Sequence, residues 1–264
     1  MIPGLPVFAY VNIFALHKCK WWKTFAIPPA LICLLNAFCI ERCLPQVAGG
    51  TTIIINGMRD TVVVAADSWT ISYGKVVDSL VCKIRQVDDS TFFTMAGVTG
   101  TVRHLAAVPN FIESTLKTSK PIRLAWTANQ VSNFLPEKLR ASIINSSGED
   151  STKPIASFFL FGRDRGMLGV FVRHFYWRNN FTEIAVRDSE DWDLSLGERA
   201  YVFSIEEVNR HINFSALPRS MVASVEAIAE TSIVYGPHTT GIPFDVVCVT
   251  RTSHEWIHKK PNCN

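Results

Sequence analysis

Sixteen residues separate Thr51 from Asp67, and sixteen more separate Asp67 from Lys83. A threonine hydroxyl is a weak nucleophile at its ordinary pKa and needs a base beside it. A lysine next to the hydroxyl would lower its pKa, and a carboxylate would hold that lysine through a charge-assisted hydrogen bond. Thr51 also follows Gly49-Gly50, so cleavage of the Gly50–Thr51 bond would leave an α-amine, with a pKa near ~8, on the nucleophile itself. The three residue types are those needed for acyl transfer by an N-terminal threonine. Taken singly, Asp67 and Lys83 fit an ordinary ion pair at a strand end, and the glycines fit turn punctuation.

Three neighbouring strands would bring the three side chains together. TTIIING and TVVVAAD read as β-branched strands joined by a tight turn from Gly57 to Asp60, and LVCKIRQV, then DDS, then TFFTMAG read as a second strand pair. Between Thr99 and Ser142 the spacing turns helical. Leu105, Val108, Ile112 and Leu116 share one face, and Leu124, Ala128, Val131, Phe134 and Leu135 share another. Pro109 and Pro136 are expected to bend these helices. The polar INSSGEDSTKP reads as a loop, and PIASFFLFG, MLGVFVRHFYW and FTEIAV read as strands ending in a charged loop, RDSEDWD. HFYW reads as strand core rather than as an assembly surface. A short helix at SIEEVNRHI, a longer one at SMVASVEAIAETSIV, the loop GPHTTG and a last strand, PFDVVCVTR, complete the order. Strand runs alternating with pairs of amphipathic helices predict an α+β fold, a four-layer αββα sandwich of two packed sheets covered on each outer face by helices.

The 264 residues are 48% hydrophobic, enough for a large buried core and too apolar for disorder. A net charge of +3 without a long basic run gives no sign of a nucleic-acid groove, and no nucleic-acid partner is expected. There is no C-x-x-C pair, and Cys82 and Cys248 lie in apolar stretches. They read as buried thiols rather than as a disulfide framework or a metal site, and no cofactor or metal is expected. Residues 1–50 differ in kind. TFAIPPALICLLNAFCI, Thr24 to Ile40, is uncharged and follows the basic, aromatic HKCKWWK, the layout of a signal peptide or a membrane anchor. Pro28 and Pro29 would break its first turns, which favours export with cleavage over a spanning helix. Ala48 and Gly50 also suit a signal peptidase cutting before Thr51, and fifty residues is long for a signal peptide, so a start downstream of Met1 stays open. The expected organisation is a leader over 1–50, a domain over 51–251 and a tail over 252–264.

GTT, VVVAADS, the lysine of VCKI, and TMAG, at these intervals, resemble the proteasome β-type subunits of the N-terminal-nucleophile hydrolases, from Gly50 to about Arg251. The resemblance implies that Gly50–Thr51 is the processing site and that Thr51 is the nucleophile and, by its amine, the base. It makes Asp67 and Lys83 the supporting pair and the Gly97 N–H the oxyanion-hole donor. It also implies a homo-oligomeric ring or proteasome-like assembly acting on peptides or proteins. The chain departs from the family's pattern after its last long helix. In VYGPHTTG the family's Asp position falls on Gly236 and its Ser position on Thr239 or Thr240. His238 is either a compensating group or a plain loop histidine. The Ser-Gly-Ser motif is not recognisable, Trp69 stands for the usual Arg, and Ile71 for a small hydroxyl residue. The leading expectation is a threonine-type peptidase or amide hydrolase. The alternative is a non-catalytic relative, a membrane-tethered or secreted assembly or binding protein. The leader favours export or membrane contact; a mere propeptide would leave the protein in the cytoplasm.

Overall fold

In chain order the strands are β1 (Val47–Ala48), β2 (Ile53–Met58), β3 (Thr61–Ala66), β4 (Thr70–Ser72), β5 (Lys75–Asp78), β6 (Arg85–Gln86), β7 (Thr91–Gly97) and β8 (Gly100–Thr101). Helices α1 (Ala107–Thr118) and α2 (Leu124–Ile143) follow, then β9 (Ala156–Asp164), β10 (Met167–Arg178), β11 (Glu183–Trp192) and β12 (Arg199–Phe203). Helix α3 (Glu206–His211), helix α4 (Met221–Tyr235), β13 (Asp245–Thr250) and β14 (His254–His258) end the order. The computed structural model describes residues 47–48, 51–72, 75–101, 104, 106–119, 122–143, 152–178, 182–204, 206–261 and 263. Gly50 and the apolar leader lie outside the described residues.

Two antiparallel five-stranded sheets form the interior, in the orders β12-β2-β3-β13-β14 and β11-β10-β9-β7-β6. Ile53, Ile55 and Val64 of the first sheet pack on Phe92, Phe159 and Phe161 of the second. The outer face of the second sheet, through Phe93, Met95 and Phe158, meets Val108, Ile112 and Leu116 of α1 and Leu124 and Val131 of α2. The outer face of the first, through Ile54, Val63, Ala65 and Val246, meets Val225 and Ile228 of α4. This is the four-layer αββα sandwich that the pattern predicts. Because β2 and β3 are covered on both faces, III (Ile53 to Ile55) and VVVAA run apolar without alternation.

Several elements differ from expectation. LVCKIRQV is a strand only at Arg85–Gln86. Its first half lies across the loop after β3, where the Val81 N–H donates to the Ser68 carbonyl at 3.1 Å and Lys83 is drawn to Asp67, so a ladder partner is given up. RDSEDW, up to Trp192, is strand rather than loop. It extends β11 along β10 from Val170↔Trp192 to His174↔Asp188, and as a sheet edge it tolerates exposed charges. HFYW is buried in β10. Pro109 sits in the first turn of α1, where no intrahelical donor is lost, so the helix starts there; Pro136 lies inside α2. Residues 252–264, expected as a tail, carry β14, which pairs with β13, and Lys260, which is buried. Cys82 is not a thiol, because it is bonded to Cys263 across 181 residues of sequence. Cys248 is free.

Candidate active site

Asp67 is delivered by the end of β3 and is wholly buried. A carboxylate there must have every lone pair met, and the surrounding chain supplies the donors. Oδ1 accepts from the Thr52 N–H at 3.0 Å and from Lys83 Nζ at 2.7 Å. Oδ2 accepts from the Gly241 N–H at 3.1 Å and the Trp69 N–H at 3.3 Å. The Asp67 N–H in turn donates to the Thr52 carbonyl at 3.1 Å, so Thr52 and Asp67 grip each other from adjacent strands. Thr51, itself buried, is therefore one residue from the carboxylate that holds Lys83.

Lys83 Nζ also donates to the Trp69 carbonyl. Burial is the strongest influence on its amine and pulls it from 10.5 down to about 8, with the Asp67 carboxylate opposing and the Lys260 ammonium reinforcing the fall. Near pH 8 the lysine is thus present in both forms, which suits proton transfer as well as electrostatic support. Lys83 borders a small cleft that Thr70, Val81, Cys82, Met95, Thr99, Ala106 and Pro109 complete.

Gly97, at the end of β7, has a left-handed φ of 82°, and a Cβ there would overlap the Ile155 carbonyl oxygen. Only glycine fits such a position without strain. Just beyond it, β8 takes β1 as an antiparallel partner, Val47↔Thr101 and Ala48↔Gly100. The chain's own backbone upstream of Thr51 is accommodated as an added strand.

Of the residues proposed from the altered loop, Thr240 enters the site, but at Thr52: the two Oγ1 atoms lie 2.7 Å apart, with Ser204 Oγ at 3.1 Å from Thr52 Oγ1. Thr239 turns back to the Gly236 carbonyl, and His238 is exposed. Sequence reasoning missed Thr52, Ser204 and Gly241, and also a second buried pair, Lys260–Asp245, at 2.8 Å. Asp245 carried a signal. It opens an apolar strand as Asp67 closes one, and the register Asp245↔Ala66 brings both carboxylates to the same end of the sheet.

Residues 47–143, from β1 through α2, match the family model of the proteasome subunit. Thr51, Asp67, Lys83 and Gly97 all fall within the matched span, and such a family implies assembly into an oligomeric, proteasome-like complex. The chain has no match among curated proteins.

Proposed function

We propose that this chain, a proteasome β-type, N-terminal-nucleophile-hydrolase-like protein, is a threonine peptidase that first cuts its own Gly50–Thr51 bond. The observation that carries the reading is the buried Asp67–Lys83 pair, with the Thr52 N–H sharing the same carboxylate oxygen. In the uncut chain the Thr51 nitrogen is an amide and cannot act as a base, so Lys83 takes the hydroxyl proton as Oγ attacks the Gly50 carbonyl. The amide nitrogen leaves as an amine and receives that proton, giving an ester on Oγ that water hydrolyses. The freed α-amine then serves as base for each later peptide bond, with Lys83 as the nearby cation and the Gly97 N–H as donor to the oxyanion. The β1–β8 pairing favours an extended peptide or protein substrate over a small amide, because main-chain pairing along an edge is how peptides are held.

N-terminal sequencing of the full chain beside Lys83→Ala tests the proposal, since a signal peptidase cutting the same bond would act on both. Thr51 as the first residue of the wild type alone supports self-cleavage; the same terminus in both refutes it. A second reading, a non-catalytic assembly protein that kept the scaffold, is favoured by Gly236 and by the exposure of His238 in the loop that departs from the family. A Gly50–Thr51 bond intact in both chains would select it.

A further inference from the structure

The second buried pair stands behind the first. Lys260 follows β14, and its side chain and that of Asp245 are 2% and 0% exposed. The Lys260 N–H donates to Asp245 Oδ1 at 3.0 Å. Its ammonium has three protons and meets three acceptors: Asp245 Oδ2 at 2.8 Å, the Val81 carbonyl at 2.7 Å and the Asp67 carbonyl at 3.5 Å. Two of these acceptors belong to the segments that bear the site. One is the main chain of Asp67; the other lies two residues before Lys83. Between Val81 and Lys83 stands Cys82, bonded to Cys263, three residues after Lys260. Clamp and bridge therefore converge on residues 81–83 from the same C-terminal segment.

Stability alone is a poor account of this arrangement, because a buried ion pair roughly breaks even against apolar residues of similar volume. We propose that Lys260 is a positioning residue for the Thr51 site: fixed by Asp245, its ammonium ties the main chain of Asp67 to that of Val81 and so sets where Lys83 meets Asp67. The inference rests on Lys83 being the lysine of that site, and it concerns the place and protonation of that lysine rather than turnover. The charged groups facing Lys83 are Asp67 from the end of β3, Asp245 from β13 and Lys260 from beyond β14. Of these, the Lys260 ammonium disfavours a second positive charge nearby and the Asp245 carboxylate favours one, Lys260 having the larger effect. Removing Lys260 both lifts the repulsion and loosens the enclosure, and the two consequences move Lys83 in the same direction.

The test is the titration of the Lys83 side chain by NMR in the full chain labelled with ¹³C-lysine, the signal assigned by its loss in Lys83→Met. Lys260→Met is expected to raise the Lys83 midpoint by about half a unit or more, a roughly threefold fall in its neutral fraction at pH 7. Should the orphaned Asp245 prevent folding, Lys260→Met with Asp245→Asn removes both charges and is expected to move the midpoint the same way by less. An unmoved or lowered midpoint in the variant that folds overturns the proposal. N-terminal sequencing of the same samples separates this outcome from the peptidase reading. A shifted midpoint in chains that never expose Thr51 upholds the clamp and refutes the peptidase.

Discussion

Self-cleavage is expected to depend on pH through Lys83, and the dependence follows from its burial. If neutral Lys83 accepts the Thr51 proton, the rate follows the neutral fraction of a group titrating at about 8. That fraction is about one half at pH 8, about a tenth at pH 7 and about a hundredth at pH 6, so the rate falls roughly 50-fold from pH 8 to pH 6 and levels off at higher pH. A lysine at its ordinary value would be about 250-fold less available at neutral pH, and the rise would continue to pH 10. The assay is the appearance of the Thr51 terminus over time, by intact mass, in uncut chain transferred to buffers from pH 6 to 10. Lys83→Arg keeps a cation but has no accessible neutral form, so it is expected to stay uncut across the whole range. Wild-type cleavage that is flat from pH 6 to 8, or a cleaving Lys83→Arg, would refute the assignment of Lys83 as the base.

Other perturbations probe the frame around the site. Cys263→Ser opens a bridge spanning 181 residues and is expected to cost about 2–5 kcal/mol, read from the denaturant midpoint and slope together, the slope steepening as the denatured chain expands; a midpoint and slope equal to the wild type would show that the bridge constrains nothing. At Gly241 a Cβ would overlap the Trp69 indole, while the Gly241 N–H and the Trp69 carbonyl hold Asp67 and Lys83. Gly241→Ala is therefore expected to destabilise by about 1–3 kcal/mol and to slow self-cleavage more than tenfold. His174 lies between Ser157 Oγ on Nδ1, at 2.7 Å, and the Tyr201 hydroxyl on Nε2, at 3.1 Å. Burial pulls its pKa below 6.5, so the folded state binds fewer protons than the unfolded chain. Stability should fall as pH drops below about 6.5, and His174→Gln should remove that part of the slope in urea titrations between pH 5 and 7.

The layers were legible because their strands and helices carry uniform patterns: IIIN and VVVAA buried on both faces, and Val108, Ile112 and Leu116 one helical turn apart. Asp67 and Lys83 were legible as a pair because equal intervals of sixteen residues separate Thr51, Asp67 and Lys83, each on a different expected strand. What stayed hidden depends on pairing rather than pattern. RDSEDWD looks like a loop, since an edge strand needs no apolar face. LVCKI looks like a strand, since nothing local reveals that Val81 and Lys83 turn to the loop after Asp67. Cys263 and Lys260, near the chain end, gain their meaning only from contact with residues about 180 positions away.

The loop after α4 departs from the pattern of the proteasome β-type subunits that the chain resembles, yet it still holds Asp67. The Gly236 N–H closes the helix on the Ser232 carbonyl at 2.9 Å, and its carbonyl accepts from the N–H groups of Thr239 and Thr240, each at 2.9 Å. That turn aims Thr240 at Thr52 and Gly241 at Asp67. The loop thus acts through a hydroxyl and a main-chain N–H where the family has an Asp. A Cβ at Gly236 would lie 2.9 Å from the Ser232 carbonyl oxygen and 3.0 Å from Thr239 Oγ1, so Gly236→Asp crowds the helix end and the turn together. It is expected to lower stability by about 1–3 kcal/mol without raising the rate of self-cleavage. Should the rate rise instead, a carboxylate was wanted at that position, and the loop is a weakened form of the family's device rather than a different way of holding the same pair.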